Sequence, residues 1–490
     1  MSVQIAVGAR QADLQGCDDV EILRALDEEL SFWVQGAQYT KAFRGYQDKD
    51  GKSVTWDGRR RLLTKGLSFP RGLVPRVERF FRTRGVGCQV RVPWVAPADP
   101  WDVESTLKKM DKEPYPYQRE AAITLIGGER GVLRMPTGSG KTLVGLLVTA
   151  ALGKRAIIYV IGSDLLYQWH ELFTEALGMP VGIVGDGKCE IEDVTIASVW
   201  TVGQALGVKK ALVDQDEKEK KVSHEKYPAI RAMLREAPVH LFDECHLAAC
   251  KTIQEIAKAI RPDHVYGMSA SPWRDDGADL LVESMLGGKV VDVPAQRLIE
   301  QGYLAEPLIR FIPVPTQSVP KLYPSVYKKY VVENEVRNDL VAEGAVRLVE
   351  QGFQTLVLFH SLAHGAELEQ RIGARIPCEK LSGKDSSDRR KAVKEAVGEG
   401  KVNCVLASKI FDTGVDIPSL SGLVTAGAGK STVRALQRVG RVIRRYPGKE
   451  RAIVFDFKDD AKFLRDHSEV RKRCYQEEFK VEWPESQEKR

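Results

Sequence analysis

The segment Met135-Pro136-Thr137-Gly138-Ser139-Gly140-Lys141-Thr142 is suited to holding phosphate. Small residues let backbone N–H groups crowd around phosphate oxygens, and a helix starting at the end of the segment adds a favourable dipole. Pro136 through Gly140 would form the cradle, Lys141 would reach the β- and γ-phosphates, and the Thr142 hydroxyl would ligate Mg²⁺. Met135 stands where the general pattern has its first glycine. Farther on, the apolar run Val239-His240-Leu241-Phe242 delivers Asp243 and Glu244 to the end of a strand. Asp243 is placed to hold Mg²⁺ and Glu244 to polarise an attacking water. His246 in the same box, with Ser269 and Ser271 at the end of the next strand, can hydrogen-bond to the acidic pair and pass on its state.

Downstream, Gln437-Arg438-Val439-Gly440-Arg441-Val442-Ile443-Arg444 sets Arg441 and Arg444 three residues apart, on one face of a helix. Arginines that meet a γ-phosphate only when two domains close act as fingers in phosphoryl transfer, and Gln437 completes the spacing. Asp412-Thr413-Gly414-Val415-Asp416 follows a buried strand and offers Gly414 and Asp416 to the nucleotide. Gln118, just after Tyr115-Pro116-Tyr117, can present its amide to the edges of adenine. One chain thus carries both halves of a split ATPase site.

These groups need rigid elements to hold them. From about residue 111, buried-strand runs occur at Gly131–Met135, Arg155–Ile161, Val194–Ser198, Val239–Phe242 and Val265–Ser269. Helical segments at 141–152, 163–177 and 251–260 separate several of them, the pattern of a parallel sheet covered on both faces. A second set comprises Leu308–Val314, Thr355–His360, Val402–Ala407, Leu423–Ala426 and Ala452–Phe457. The expected fold is α/β: two tandem parallel-sheet domains, 111–304 and 305–470, after a small N-terminal α+β accessory domain, 1–110. Within the latter, turn signals at 48–51 and 56–58 suggest a small antiparallel sheet, and 73–83 follows amphipathic helical spacing with arginines outside. Residues 95–101 read as a linker, 208–227 as an exposed charged loop, and 471–490 as a charged, partly ordered tail.

Length fits about three domains. No apolar run approaches the roughly 20 residues a bilayer requires, and the start shows no signal-peptide pattern, so a cytoplasmic protein without membrane contact is expected. The eight cysteines include no Cys-x-x-Cys pair. That argues against a disulfide framework and a structural zinc site, and Cys245 and Cys250 beside His246 read as packing. The net charge of +6 is uneven: residues 41–90 hold thirteen Lys/Arg against four Asp/Glu. Such a local excess is the electrostatic footprint of nucleic acid, with Arg59, Arg60, Arg61, Arg76 and Arg79 as candidate contacts and Phe80 and Phe81 available to bases. A merely solvated basic surface is the competing reading.

With these motifs in order, residues 111–460 resemble a superfamily 2 helicase with a DECH box at 243–246. The resemblance implies RecA-like domains that bind ATP and Mg²⁺, and nucleic-acid backbone contacts at Gln168 in Leu165-Leu166-Tyr167-Gln168-Trp169 and at Ser198 in Thr195-Ile196-Ala197-Ser198. Ser269-Ala270-Ser271-Pro272-Trp273-Arg274-Asp275-Asp276-Gly277 is similar to XPB-type repair helicases, with Asp275 where their Arg-Glu-Asp element has Glu. Trp56-Asp57-Gly58-Arg59-Arg60-Arg61-Leu62-Leu63 and Phe69-Pro70-Arg71-Gly72-Leu73-Val74 are similar to UvsW-type phage helicases, as is a short interdomain connection at 320–338. Those implied relatives remodel branched DNA in the 3′→5′ sense. The expectation is a monomeric ATP-dependent DNA helicase acting on single-stranded, duplex and branched DNA. An RNA helicase, or a DNA-translocating subunit without unwinding of its own, stays open.

Overall fold

The computed structural model describes residues 2–47, 52–93, 95, 98–208, 220–272, 278–315, 322–383, 385–408 and 417–479. Two compact units emerge from the contacts. One holds the described residues of 2–134, 142–208 and 220–292; the other holds the loop Met135–Lys141 and the described residues of 293–479.

The first unit begins with a four-stranded sheet of β1 (Ser2–Val7), β2 (Gln11–Gln15), β3 (Ser68–Pro70) and β4 (Gly87–Arg91), in the order β3-β2-β1-β4. Helix α1 (Val74–Arg82) covers it. Val77, Phe80 and Phe81 stand at helical i, i+3, i+4 spacing and are buried with Val3, Ile5 and Phe69. Phe80 and Phe81 are therefore core, out of reach of any base. Two short antiparallel ribbons, Ser31–Trp33 with Arg59–Arg61 and Tyr46–Gln47 with Ser53–Val54, complete this region.

No break between units falls at residue 110. Leu280 joins the N-terminal core. Arg71 pairs with Glu129, Arg76 with Glu283 at 2.7 Å and with Glu29 at 2.6 Å. Gly72 lies so close to the backbone of Glu283 and Ser284 that a side chain has no room there. The segment expected to be a linker is pinned too: Trp101 N donates to Ala150 O at 2.8 Å.

The main sheet of this unit contains β5 (Arg130–Arg134), β6 (Ala156–Val160), β7 (Val181–Gly185), β8 (Lys188–Glu190), β9 (Val194–Ser198), β10 (Val239–Asp243), β11 (His264–Ser269) and β12 (Val290–Asp292). Their order is β8-β7-β9-β6-β10-β11-β5-β12, parallel except for β8. Helices α2 (Pro116–Ile126), α3 (Lys141–Leu152) and α4 (Ser163–Leu177) flank it. The strands β10 and β11 enter the sheet between β5 and β6, which precede them in the chain. The carboxyl ends of β5, β10 and β11 thus converge at a topological switch, where open α/β sheets bind ligands.

The second unit carries a six-stranded, all-parallel sheet: β13 (Glu306–Val314), β14 (Thr355–Leu358), β15 (Glu379–Leu381), β16 (Cys404–Ala407), β17 (Gly422–Val424) and β18 (Arg451–Asp459). The order is β13-β18-β17-β14-β16-β15. Helices α5 (Glu335–Glu350), α6 (Thr432–Val442) and α7 (Leu464–Phe479) belong to it. Two expectations need correction here. Of the expected connection at 320–338, the described part, 322–338, lies after β13 inside this unit and does not connect two domains. The charged stretch from 471 is no tail up to Phe479: it is the last half of α7, with Arg471 and Tyr475 turned inward and Arg473 and Glu477 exposed.

Arg471 is buried against Asp456 at 2.8 Å, and Tyr475 donates to the same carboxylate at 3.1 Å. Burial alone would raise the Asp456 carboxyl, but the Arg471 charge holds it below its ordinary value of 3.8. Arg471→Ala strands a buried carboxylate and is expected to cost the second unit about 3–5 kcal/mol, read from denaturant unfolding. Because the folded value is depressed, this contribution is complete above about pH 4 and fades only as pH falls through the folded value. A loss of under about 1 kcal/mol would show that the pair does not hold α7 down.

Candidate active site

The P-loop runs from the end of β5 into α3. Gly138 (φ 86°) and Gly140 (φ 85°) take a backbone conformation that a side chain disfavours. Ser139 is buried and its hydroxyl donates to Pro136 O at 2.6 Å; Thr137 is buried beside it. Lys141 Nζ folds back onto the loop, 3.2 Å from Met135 O and 3.3 Å from Pro136 O. Thr142, half-buried, follows Lys141 in the first turn of α3.

β10 ends in Asp243, which is buried, and Glu244 follows in the left-handed region (φ 50°, ψ 48°). That conformation is rare for a residue with a side chain and is stored at functional positions. It turns the Glu244 carboxylate toward the neighbouring strand end. His246 Nδ1 lies 3.2 Å from Glu244 Oε2 and 3.3 Å from Ser269 Oγ; Ser269 Oγ donates to Glu244 Oε2 at 3.4 Å. Ser271 N in turn donates to Ser269 Oγ at 3.2 Å. The expected coupling residues His246, Ser269 and Ser271 form one connected cluster on Glu244. Ser269→Ala is expected to leave ATPase within about threefold of wild type while cutting strand separation about tenfold or more, since it removes a relay and no reacting group. Parallel losses in both assays would sink the relay.

Helix α6 holds Gln437, buried, and Arg441, half-buried, in its last turn. Arg444 does not share their helix. It lies past the C-terminus of α6 and bridges Leu304 as a short antiparallel pair. The i, i+3 spacing fails because the helix ends at Val442. Within this unit the P-loop segment is close by: Cβ atoms placed on Gly440 and Gly138 would collide with Thr137 and Arg444 respectively. Burial lowers the Arg444 guanidinium to about 10, which leaves it cationic at neutral pH.

Other candidates fare differently. Gln118 is buried, and its Oε1 accepts from Tyr115 N at 2.8 Å, so one end of the amide expected to meet adenine caps its own helix. Ser198 is fully buried at the end of β9 and offers no surface to a nucleic-acid backbone, whereas Gln168 is exposed on α4. Arg61 is occupied by Asp57 and Asp27, both at 2.6 Å, and Arg76 by Glu283 and Glu29. Arg59 Nε donates to Ser31 Oγ at 3.0 Å. Arg60 and Arg79 remain exposed. Gly414, Asp416 and the 274–276 element lie outside the described residues. No helix among the described residues is long and apolar enough to cross a membrane.

Two parallel sheets, one ending in a P-loop and a DECH box and the other carrying a Gln-Arg helix, define the motor core of a helicase. The family described as "Type III restriction enzyme, res subunit" matches residues 111–274, and "Helicase conserved C-terminal domain" matches 338–446. The chain belongs to the superfamily 2 helicases, ATP-hydrolysing enzymes, and within them is related to the UvsW and XPB types. It is 25% identical over 471 residues to the "ATP-dependent DNA helicase uvsW" of Enterobacteria phage T4, covering 89% of this chain and 86% of that protein. It is 23% identical over 398 residues to the "DNA 3'-5' translocase XPB2" of Sulfurisphaera tokodaii, covering 70% and 84%. Among solved structures, S. cerevisiae Dbp5 bound to RNA and ADP BeF3 shares the fold at a TM-score of 0.54 and 13% identity, over 77% of this chain and 91% of that one.

Proposed function

We propose that this chain hydrolyses ATP to translocate 3′→5′ along DNA and remodel branched DNA, reversing forks and migrating junctions. The observation that carries the reading is the cluster of His246 and Ser269 on Glu244, which ties the residue set to activate water to the strand end beside it. The P-loop and Lys141 bind the phosphates, and Glu244 orients the attacking water and takes its proton. Gln437, Arg441 and Arg444 act on the γ-phosphate. Thr142 and Asp243 supply the hard oxygen donors that suit Mg²⁺, which when bound neutralises phosphate charge. The printed names of the uvsW and XPB2 relatives support DNA as the track.

The restriction-subunit match supports a second reading, DNA translocation without strand separation. ATPase and unwinding assays with single-stranded, duplex, forked and four-way DNA, against RNA of matched length, separate the two. DNA-stimulated ATPase with conversion of forks and four-way junctions is expected. Hydrolysis on DNA with no product from either branched substrate would favour the second reading; stronger stimulation by RNA would overturn both.

A further inference from the structure

The lobe formed by residues 31–47 and 52–61 has an unusual distribution of aromatic residues. Trp33, Tyr39, Phe43 and Tyr46 are 45%, 74%, 38% and 45% exposed. They account for half of the eight large aromatic side chains exposed among the described residues, within fourteen positions of the chain. The lobe is not loosely held. Val34 N donates to Gly58 O at 2.9 Å, Trp56 N to Ala42 O at 3.0 Å, and Trp56 Nε1 to Arg59 O at 2.7 Å. Trp33 and Phe43 meet edge to face with ring centroids 5.6 Å apart, and one face of Trp33 lies on Gly58. A fold that fixes these rings yet leaves a large part of each in water forgoes part of their burial gain, and such patches mark interaction sites.

Charge says what they meet. Residues 31–61 contain seven Lys/Arg and three Asp. Lys41 and Arg44 sit on the same short helix as Phe43, and both are exposed, as is Arg60. Cations around flat exposed rings match a phosphate backbone with unstacked bases, since every base offers a π-face to an aromatic ring. A paired duplex keeps its bases stacked and can use only the cations.

We propose that Tyr39, Phe43, Tyr46 and Trp33 form a stacking platform for unpaired DNA bases at a branch point, with Lys41 and Arg44 holding the adjoining phosphates. This rests on the reading of the chain as a DNA motor and gives its N-terminal region a substrate feature: the single-stranded arm.

The test uses the full chain and two fluorescent DNAs of equal length, a fork with unpaired arms and a complete duplex. A second fork carries 2-aminopurine in the unpaired arm, whose emission falls when it stacks. Tyr39→Ser is the main variant, because Tyr39 is the most exposed of the four; Phe43→Ser is the second, and Tyr39→Phe keeps the ring. The serine variants should each bind the fork about tenfold more weakly, lose the 2-aminopurine quench, and bind the duplex within about twofold of wild type. Tyr39→Phe should restore fork affinity and quench. Arg44→Gln should weaken both DNAs and lower the salt slope by about one, whereas the serine variants keep the wild-type slope. Serine variants that bind and quench like wild type, or that lose fork and duplex affinity equally, would overturn the platform, as would quench by RNA forks in preference to DNA. If wild type shows no DNA-stimulated ATPase, the motor reading fails; if it does and Tyr39→Ser matches it in binding, only the platform fails.

Discussion

Glu244→Gln should retain ATP and Mg²⁺ yet lower steady-state hydrolysis by about 10²–10⁴-fold, the usual worth of a positioned general base. The amide keeps the size of the side chain and its hydrogen bond to Ser269, so the left-handed turn at 244 survives while the capacity to take a proton does not. Lys141→Ala should be as inactive for another reason. It deletes the ammonium that stabilises phosphate charge, and nucleotide affinity should fall with turnover. Titration with a fluorescent ATP analogue beside single-turnover hydrolysis separates the two variants. Near-wild-type turnover in either one removes the site assignment; equal loss of binding in both would show that Glu244 has no specific part in the chemistry.

Much of this site was legible in sequence because it is local. A P-loop needs small residues, a lysine and a helix start in immediate succession, and the chain supplies them with their strand at Arg130–Arg134. The Asp-Glu box could be read for the same reason, and helices 141–152 and 163–177 were found with their bounds unchanged. Short or glycine-bearing strands such as Val181–Gly185, Lys188–Glu190 and Glu379–Leu381 were missed. They carry too little alternation or β-branched run to signal themselves, and the sheet around them decides.

What sequence reading missed was the partner of two of the arginines. Arg61 and Arg76 looked like DNA ligands because clustered cations advertise a patch, but Asp57, Asp27, Glu29 and Glu283 occupy them. The last two pairings, Arg76 with Glu29 and Glu283, span 47 and 207 positions in the chain, so no local pattern contains them. Phe80 and Phe81 were offered to bases, although their spacing with Val77 already put them on a buried helix face. The exposed rings at 33–46 carried the better signal: aromatic residues with no helical or strand periodicity to place them in a core.

A chain beginning at residue 111 is therefore expected to misfold or aggregate, where separability would have predicted a soluble motor. Removing 1–110 uncovers Leu280 and leaves Glu283, only 15% exposed in its side chain, without Arg76. Arg130 loses the Ala9 carbonyl that it reaches at 3.0 Å, in a setting where burial already lowers its guanidinium to about 9. An uncompensated buried charge costs about 3–5 kcal/mol, and the freed apolar surface adds to it, against a domain stability of about 5–15 kcal/mol. The loss falls on the sheet that carries the P-loop and the Asp-Glu box, so ATPase should disappear with solubility. Arg76→Ala in the full chain isolates the ion pair and should lower the thermal midpoint of the first unit by several degrees while leaving the exposed rings at 33–46 in place. A truncated chain that is soluble, melts at the wild-type temperature and hydrolyses ATP on single strands would show that the N-terminal sheet merely rests on its neighbour, and would return residues 1–110 to the standing of a detachable DNA-binding module.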